Sequence, residues 1–134
     1  MYEISFLAIV LAAIASFILG HVWYHPRLFG AQWMRLVNVT PEHVEQGKRF
    51  MPLSALAAFV ANLLVASVMD YLGVTLGVID IAGAVQLALW CWIGFVVPTT
   101  LGTVLWEHRP LTLYLINASY WLVSFVVMAV VLLF

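Results

Sequence analysis

Four long apolar runs separated by short polar stretches dominate the chain: roughly Ile4 to Tyr24, Met51 to Leu72, Gly83 to Trp106 and Leu111 to Phe134. At about 1.5 Å rise per residue, each run would cover about 30 Å or more as a helix, the thickness of a bilayer's hydrocarbon core. Backbone groups inside lipid must be satisfied within their own segment, and the runs lack the alternation of barrel strands. The pattern therefore predicts an all-α integral membrane protein, with four transmembrane helices in an up-down bundle and one domain over residues 1–134.

The polar stretch between the first two runs has a pattern of its own. Phe29, Trp33 and Leu36 or Val37 recur at helical spacing, with Gln32, Arg35 and Asn38 on the other side. This predicts a short interfacial helical segment between helices 1 and 2. Thr40-Pro41-Glu42 reads as a cap followed by a first-turn proline, starting another short helix that leads into span two. Trp23, Tyr24, Trp33 and Trp106 at one interface, and Tyr2 and Tyr71 at the other, read as belt anchors.

Two four-spaced rows address packing. Ala8, Ala12, Ser16 and Gly20 would let another helix approach span one closely. Gln86, Trp90, Gly94, Pro98, Gly102 and Trp106 mix small and bulky residues on span three, as a surface facing other helices would. The stretch Leu19 to Leu28 also echoes Leu101 to Leu111, allowing one gap. Both leave the membrane on the same side, so the two hairpins are candidate parallel repeats.

Composition agrees with the membrane reading: 66% of residues are hydrophobic and 8% charged, against about half and about a quarter in soluble domains. A net charge of -1 excludes electrostatic capture of nucleic acid. Arg27, Arg35, Lys48 and Arg49 lie between spans one and two, and Arg109 between spans three and four. By the positive-inside rule, loops 25–50 and 107–110 are cytoplasmic and both termini lie outside. The amino terminus lacks the positive flank of a cleaved signal peptide, so the first run is kept as a span. A single cysteine, Cys91, allows neither an internal disulfide nor a cysteine metal cluster.

Polar residues inside a bilayer are costly, so they direct attention. Asn62 falls about halfway along span two. Thr99, Thr100, Thr103 and Asn117 fall within about 5 to 10 Å of the inner boundary by helical rise. With His21, His25, Glu107 and His108 nearby, they predict an inward-facing polar site roofed by the first-loop helix. Pro98 would leave the Gly94 carbonyl without its donor and kink the axis. That carbonyl is then open to a ligand, to water or to the neighbouring threonines.

His21 and His25 are spaced i, i+4, which suits zinc. But His25 precedes Pro26 and should be leaving helical geometry, so neither metal nor cofactor is expected. No carboxylate lies near mid-membrane, where a proton-coupled carrier needs one. Nucleophile elbows, phosphate loops and paired catalytic carboxylates are missing from the sequence. Helix packing accounts for Ser16, Ser67, Ser119 and Ser124.

Several motifs follow one another in a familiar order. They are Trp23-Tyr24-His25-Pro26, Phe29-Gly30 and Trp33; Gly94-Phe95 with Thr99-Thr100; and Arg109-Pro110-Leu111 leading to Leu115-Ile116-Asn117-Ala118 and Tyr120. In these the chain resembles a bacterial four-span membrane family catalogued as domain of unknown function family 1761. The resemblance implies a bacterial inner-membrane helical protein and brings no activity with it. It points to the Trp-Tyr-x-Pro turn and to Asn117. The chain departs from the family pattern at His25, often a small residue such as Ser, and at His21, usually apolar or small.

Three functions are carried forward. The first is a non-enzymatic bundle that assembles with itself as a homo-oligomer, or within a membrane-protein complex, in the lipid bilayer. The second is a small oligomeric transporter or channel, with Asn62, Gly94, Pro98, Thr99, Thr103, Asn117 and Tyr120 as ligand or pathway candidates. The third is a membrane-embedded metal-binding protein or enzyme using His21, His25 and Glu107. Recognition is expected at the inner-face cluster of His21, Trp23, Tyr24, His25, Glu107, His108 and Arg109.

Overall fold

The computed structural model describes residues 5–38 and 40–134, so the expected anchor Tyr2 and the expected first residue of span one, Ile4, lie outside the described residues. Among those described, the chain is helix and turn without strands. Helices α1 (Phe6–Trp23), α2 (Gly30–Leu36), α3 (Pro41–Thr75) and α4 (Ile81–Cys91) are followed by a π-helical turn, Trp92–Val96. Helices α5 (Val97–Thr100), α6 (Gly102–Leu105) and α7 (Leu111–Val131) complete the chain. The stretch from α4 to α6 acts as one apolar span, Ile81–Leu105. Four helices are thus long and apolar enough to cross a membrane, as the hydropathy pattern predicts.

Local chemistry sets the starts. The Ser5 hydroxyl accepts from the Ala8 N–H at 3.3 Å, and the Asp80 carboxylate from the Gly83 N–H at 2.8 Å. Each satisfies an N–H that the first helical turn leaves unpaired. At α3 the cap is reciprocal: Thr40 Oγ1 accepts from the His43 N–H at 3.2 Å, and His43 Nδ1 accepts from the Thr40 N–H at 3.3 Å. Histidine here takes the place that Glu or Gln usually fills.

The helix begun by that cap corrects the sequence reading. Instead of a separate short helix before span two, α3 is continuous for 35 residues, about 52 Å by helical rise. Pro52 removes one backbone donor from inside it. The carbonyl it leaves, that of Lys48, belongs to an exposed stretch that water or headgroups can reach, since residues 41–54 are all exposed. Nothing else breaks the helix there.

α7 sits at the centre of the bundle, packed on α1, α3 and α4 and touched by α2, while α1 also packs on α3. Away from the end that carries the Lys and Arg residues, here called the basic end, lies a packed half whose core is apolar apart from the buried Asp70. Ala12, Ala66, Ala84 and Ala88 are fully buried around Met69 and Met128. The α1 row behaves as read: Ala8, Ala12 and Ser16 are buried. A Cβ on Gly20 would come within 3.1 Å of the Tyr120 hydroxyl.

The span-three row does not face the other helices. Gln86, Gly94 and Pro98 are exposed, Trp90 is 70% exposed and Trp106 82%. The buried face is Ala84, Leu87, Ala88 and Cys91. Lipid is as apolar as leucine, so a helix apolar all round carries little contrast between its lipid side and its core side. The candidate repeats also diverge. Tyr24 turns into the bundle, whereas its counterpart Trp106 lies on the surface.

A candidate binding cavity at the basic end

The cavity is built on a tight turn. α1 stops at Trp23, three residues before Pro26, which has no N–H to continue it. The chain then folds back through bonds from the Phe29 N–H to the Trp23 carbonyl (3.2 Å) and from the Gly30 N–H to the His25 carbonyl (3.0 Å). Gly30 lies so close beneath the turn that a Cβ there would sit 2.1 Å from the Tyr24 carbonyl oxygen. Only glycine permits that approach. This explains why a glycine follows the Trp-Tyr-x-Pro turn, and it lets α2 fold across the end of the bundle onto α7.

The turn swings two rings inward. The Trp23 indole donates to the Ile116 carbonyl at 3.2 Å, and the Tyr24 hydroxyl to Asn117 Oδ1 at 2.7 Å. From span three, the Trp92 indole donates to the Ala118 carbonyl at 2.8 Å. Asn117 is therefore flanked on α7 by two carbonyls, each held by an indole. Trp23, Tyr24 and Trp33 are half-buried, with Trp33 packed edge-on to Tyr24 at 5.8 Å. The belt-anchor reading fails for Trp23 and Tyr24, whose polar atoms are satisfied on α7. It suits Trp106, which is exposed.

Span three meets its proline as membrane helices often do. A π turn precedes Pro98, with the Val97 N–H bonded to the Trp92 carbonyl. The Thr99 hydroxyl donates to the Phe95 carbonyl, Thr100 to Val96 at 2.5 Å, and Thr103 to Thr100 at 2.9 Å. Tyr114 on α7 adds a bond to the Val97 carbonyl at 2.8 Å. Hydroxyl groups thus re-satisfy much of the disturbed backbone. Gly94 has open space beside it and is exposed with Pro98 and Thr99.

Between these parts lies a cavity of about 1070 Å³. Phe17 and His21 line it from α1, and Trp33 and Met34 from α2. Ser54, Ala55 and Ala58 form its α3 wall, while Leu113, Tyr114 and Trp121 form the α7 wall. Thr103, Glu107 and Arg109 line the span-three side, and Tyr24 and Asn117 the floor. Seven sequence-derived candidates therefore share one space: His21, Tyr24, Thr100, Thr103, Glu107, Arg109 and Asn117. Among the described residues, neither Glu107 nor Arg109 forms an ion pair.

The other candidates lie elsewhere. Asn62 is buried away from the cavity, where its Oδ1 accepts from the Ser16 hydroxyl at 3.2 Å. Ser16 is also bonded to Ser124, and with its own proton on Asn62 it must accept there. This knot ties α1, α3 and α7 together. Tyr120 stands behind the floor, its hydroxyl on the Ser16 carbonyl at 3.3 Å and its ring 5.4 Å from that of Tyr24. Trp23 flanks the floor without lining the cavity. His25 has left the helix, its Nδ1 accepting from the Arg27 N–H at 3.1 Å, and His108 sits in a turn at φ 55°. No group of three His, Cys, Asp or Glu could hold a metal among the described residues.

Trp92, Tyr114 and Trp121 were not among the sequence-derived candidates. Trp92 and Trp121 carried a signal, since a tryptophan well inside a span must find its N–H a protein partner or a polar space.

A family model described as "Protein of unknown function (DUF1761)" matches residues 7–133. No curated protein and no solved structure matches the chain.

Proposed function

This chain belongs to the DUF1761 family of proteins of unknown function, and on that premise we propose that it is a membrane protein that binds a small amphipathic molecule in the cavity at its basic end. The observation that carries this reading is the cavity's lining: aromatic and aliphatic walls with a few convergent polar groups, Asn117 and Thr103 below and Glu107 and Arg109 beside them. Such linings are the usual make-up of small-molecule sites. On this reading the cavity opens toward the cytoplasm of a bacterial inner membrane, a side supported by the distribution of Lys and Arg. The buried Ser16–Asn62–Ser124 knot lies between the floor and the packed half. This favours a blind pocket, and binding over passage across the membrane.

Intact-protein mass spectrometry under non-denaturing conditions tests the reading. Wild-type protein should retain a bound small molecule that an Ala58→Trp variant, whose new ring obstructs the cavity, retains far less. Equal retention by the two would defeat the proposal.

A second reading, self-assembly, is favoured by the outward row of Gln86, Trp90, Gly94 and Pro98. A glutamine and a break in the helix on a surface otherwise facing lipid suit contact with another copy. In a Cys91→Ala background, Gly94→Cys should then cross-link into dimers in membranes. Val60→Cys on α3, at a site 46% exposed, should not. Equal cross-linking at both positions would count against it.

A further inference from the structure

We infer that the molecule in this cavity is a phospholipid whose headgroup carries both a phosphate and an ammonium, with its acyl chain lying along α1. The inference rests on the binding reading above and adds the ligand class.

Two observations carry it. The first is a groove. Phe17 and His21, which line the cavity, also line a mainly apolar groove of about 620 Å³ on the outer side of α1 with Ile18, Val22, His25 and Leu28. Phe17 and His21 therefore stand at the border between the polar space and the apolar groove. In a bilayer a groove on a span's outer surface is filled by hydrocarbon, because water there would lack partners and a void would forfeit contacts. A molecule that occupies both spaces has a polar head and a long apolar tail.

The second observation is the charge pattern. Glu107 and Arg109 offer opposite charges to one cavity and, among the described residues, are not spent on each other or on a neighbour. Asn117 and His21 repeat the pattern without charge. Tyr24 occupies the Asn117 oxygen, so Asn117 is left offering its amide N–H groups. The His21 Nδ1 faces the Phe17 carbonyl at 3.1 Å. A carbonyl only accepts, so Nδ1 carries the proton and Nε2 of the neutral ring is the acceptor.

Arg109 and Asn117 thus suit phosphate oxygens, and Glu107 and His21 suit an ammonium with N–H groups to donate. A purely anionic headgroup would satisfy the first pair and be repelled by Glu107. A purely cationic one would meet Arg109.

The test uses purified wild-type protein and an equimolar mixture of phosphatidylethanolamine and phosphatidylglycerol with identical acyl chains, read by the same mass spectrometry. Phosphatidylethanolamine should be retained about tenfold over phosphatidylglycerol, the difference one charge-assisted hydrogen bond makes. Glu107→Gln should abolish the preference while lipid remains bound. Arg109→Gln should weaken both lipids. Both side chains are exposed, so neither change threatens the fold. Water-soluble glycerophosphoethanolamine should fail to displace the lipid at equal concentration; displacement would mean the groove is not used and would overturn the lipid assignment.

Equal retention of the two lipids, or a preference that survives Glu107→Gln, would also overturn it. The two levels of the argument separate through Ala58→Trp. If that variant loses its bound mass but wild type shows no headgroup preference, the headgroup inference alone fails. If it keeps the preference, the lipid sits elsewhere and the cavity reading fails with it.

Discussion

The two halves of this bundle are built from the same four spans and could hardly be more different inside. Away from the basic end, alanines at Ala12, Ala66, Ala84 and Ala88 bring the helices together around Met69 and Met128. At the basic end the facing positions are aromatic, among them Tyr24, Trp33, Tyr114 and Trp121, and a large cavity opens between them. The π turn divides span three at this boundary. α4 lies along α7, and the wider turn at Trp92–Val96 shifts the residues after it off the face α4 had set. Polar groups follow the same division. At the boundary Ser16, Asn62 and Ser124 bond to one another, and in the packed half Asp70 is buried. At the basic end Asn117 is satisfied on its oxygen alone. Close packing and open space lie at separate depths of one small protein.

Substitutions can press on that division, and the largest effect should come from the turn. Gly30→Val puts carbon atoms onto the Tyr24 carbonyl and should cost about 3 kcal/mol or more, the upper range for forced overpacking. Unfolding in detergent with increasing dodecyl sulfate would measure it. Gly47→Val, with open space around that glycine, is the control.

Next comes a matched pair. Ala12→Leu should destabilise by about 1–3 kcal/mol because its site is fully packed. Ala58→Leu projects beside the cavity and should cost well under about 1 kcal/mol on the same principle. Equal losses in the same titration would erase the contrast between the halves.

Asn62→Leu should cost about 0.6 kcal/mol and no more than about 1.7, the measured span of buried hydrogen bonds between membrane helices. A double-mutant cycle with Ser16→Ala would show whether the knot is coupled. The smallest stability change belongs to Asn117→Leu, whose partner Tyr24 can turn its hydroxyl to water in the cavity; about 0.5 kcal/mol is expected. Its effect should appear instead as lost retention of the bound molecule. A large loss of stability with binding unchanged would place Asn117 among the packing residues.

The spans were legible because lipid demands long apolar helices, and hydropathy records that demand directly. Individual motifs were legible where chemistry is local: the Thr40-Pro41 cap, the α2 helix, and the break in helical geometry ahead of Pro26. Facing was not. On span three the exposed Leu89 and the buried Leu87 are the same residue type, so no periodicity tells lipid from core. Continuity of α3 was hidden because Pro52 normally signals an end, and only its exposed surroundings make it harmless. At the candidate site, sequence brought forward Asn117, Tyr24, Glu107 and Arg109. It also brought forward Thr99 and Gly94, whose polarity is spent on, or faces away from, the helix that bears them. That distinction depends on rotation about an axis, which a list of polar residues does not contain.

The central place of α7 bears on how the protein is made. α1 and α3 can pair as soon as both are inserted, through the Ser16–Asn62 bond. Span three has its main partner in α7, which follows it in the chain, and so waits in the bilayer for that helix. Ser124, the residue that completes the knot, arrives with it. Assembly therefore runs as insertion of three helices followed by a single closing step. A chain shortened to end before Leu111 should still enter the membrane and yet be cleared by proteases as an unassembled intermediate, its quality-control fate decided by one missing helix.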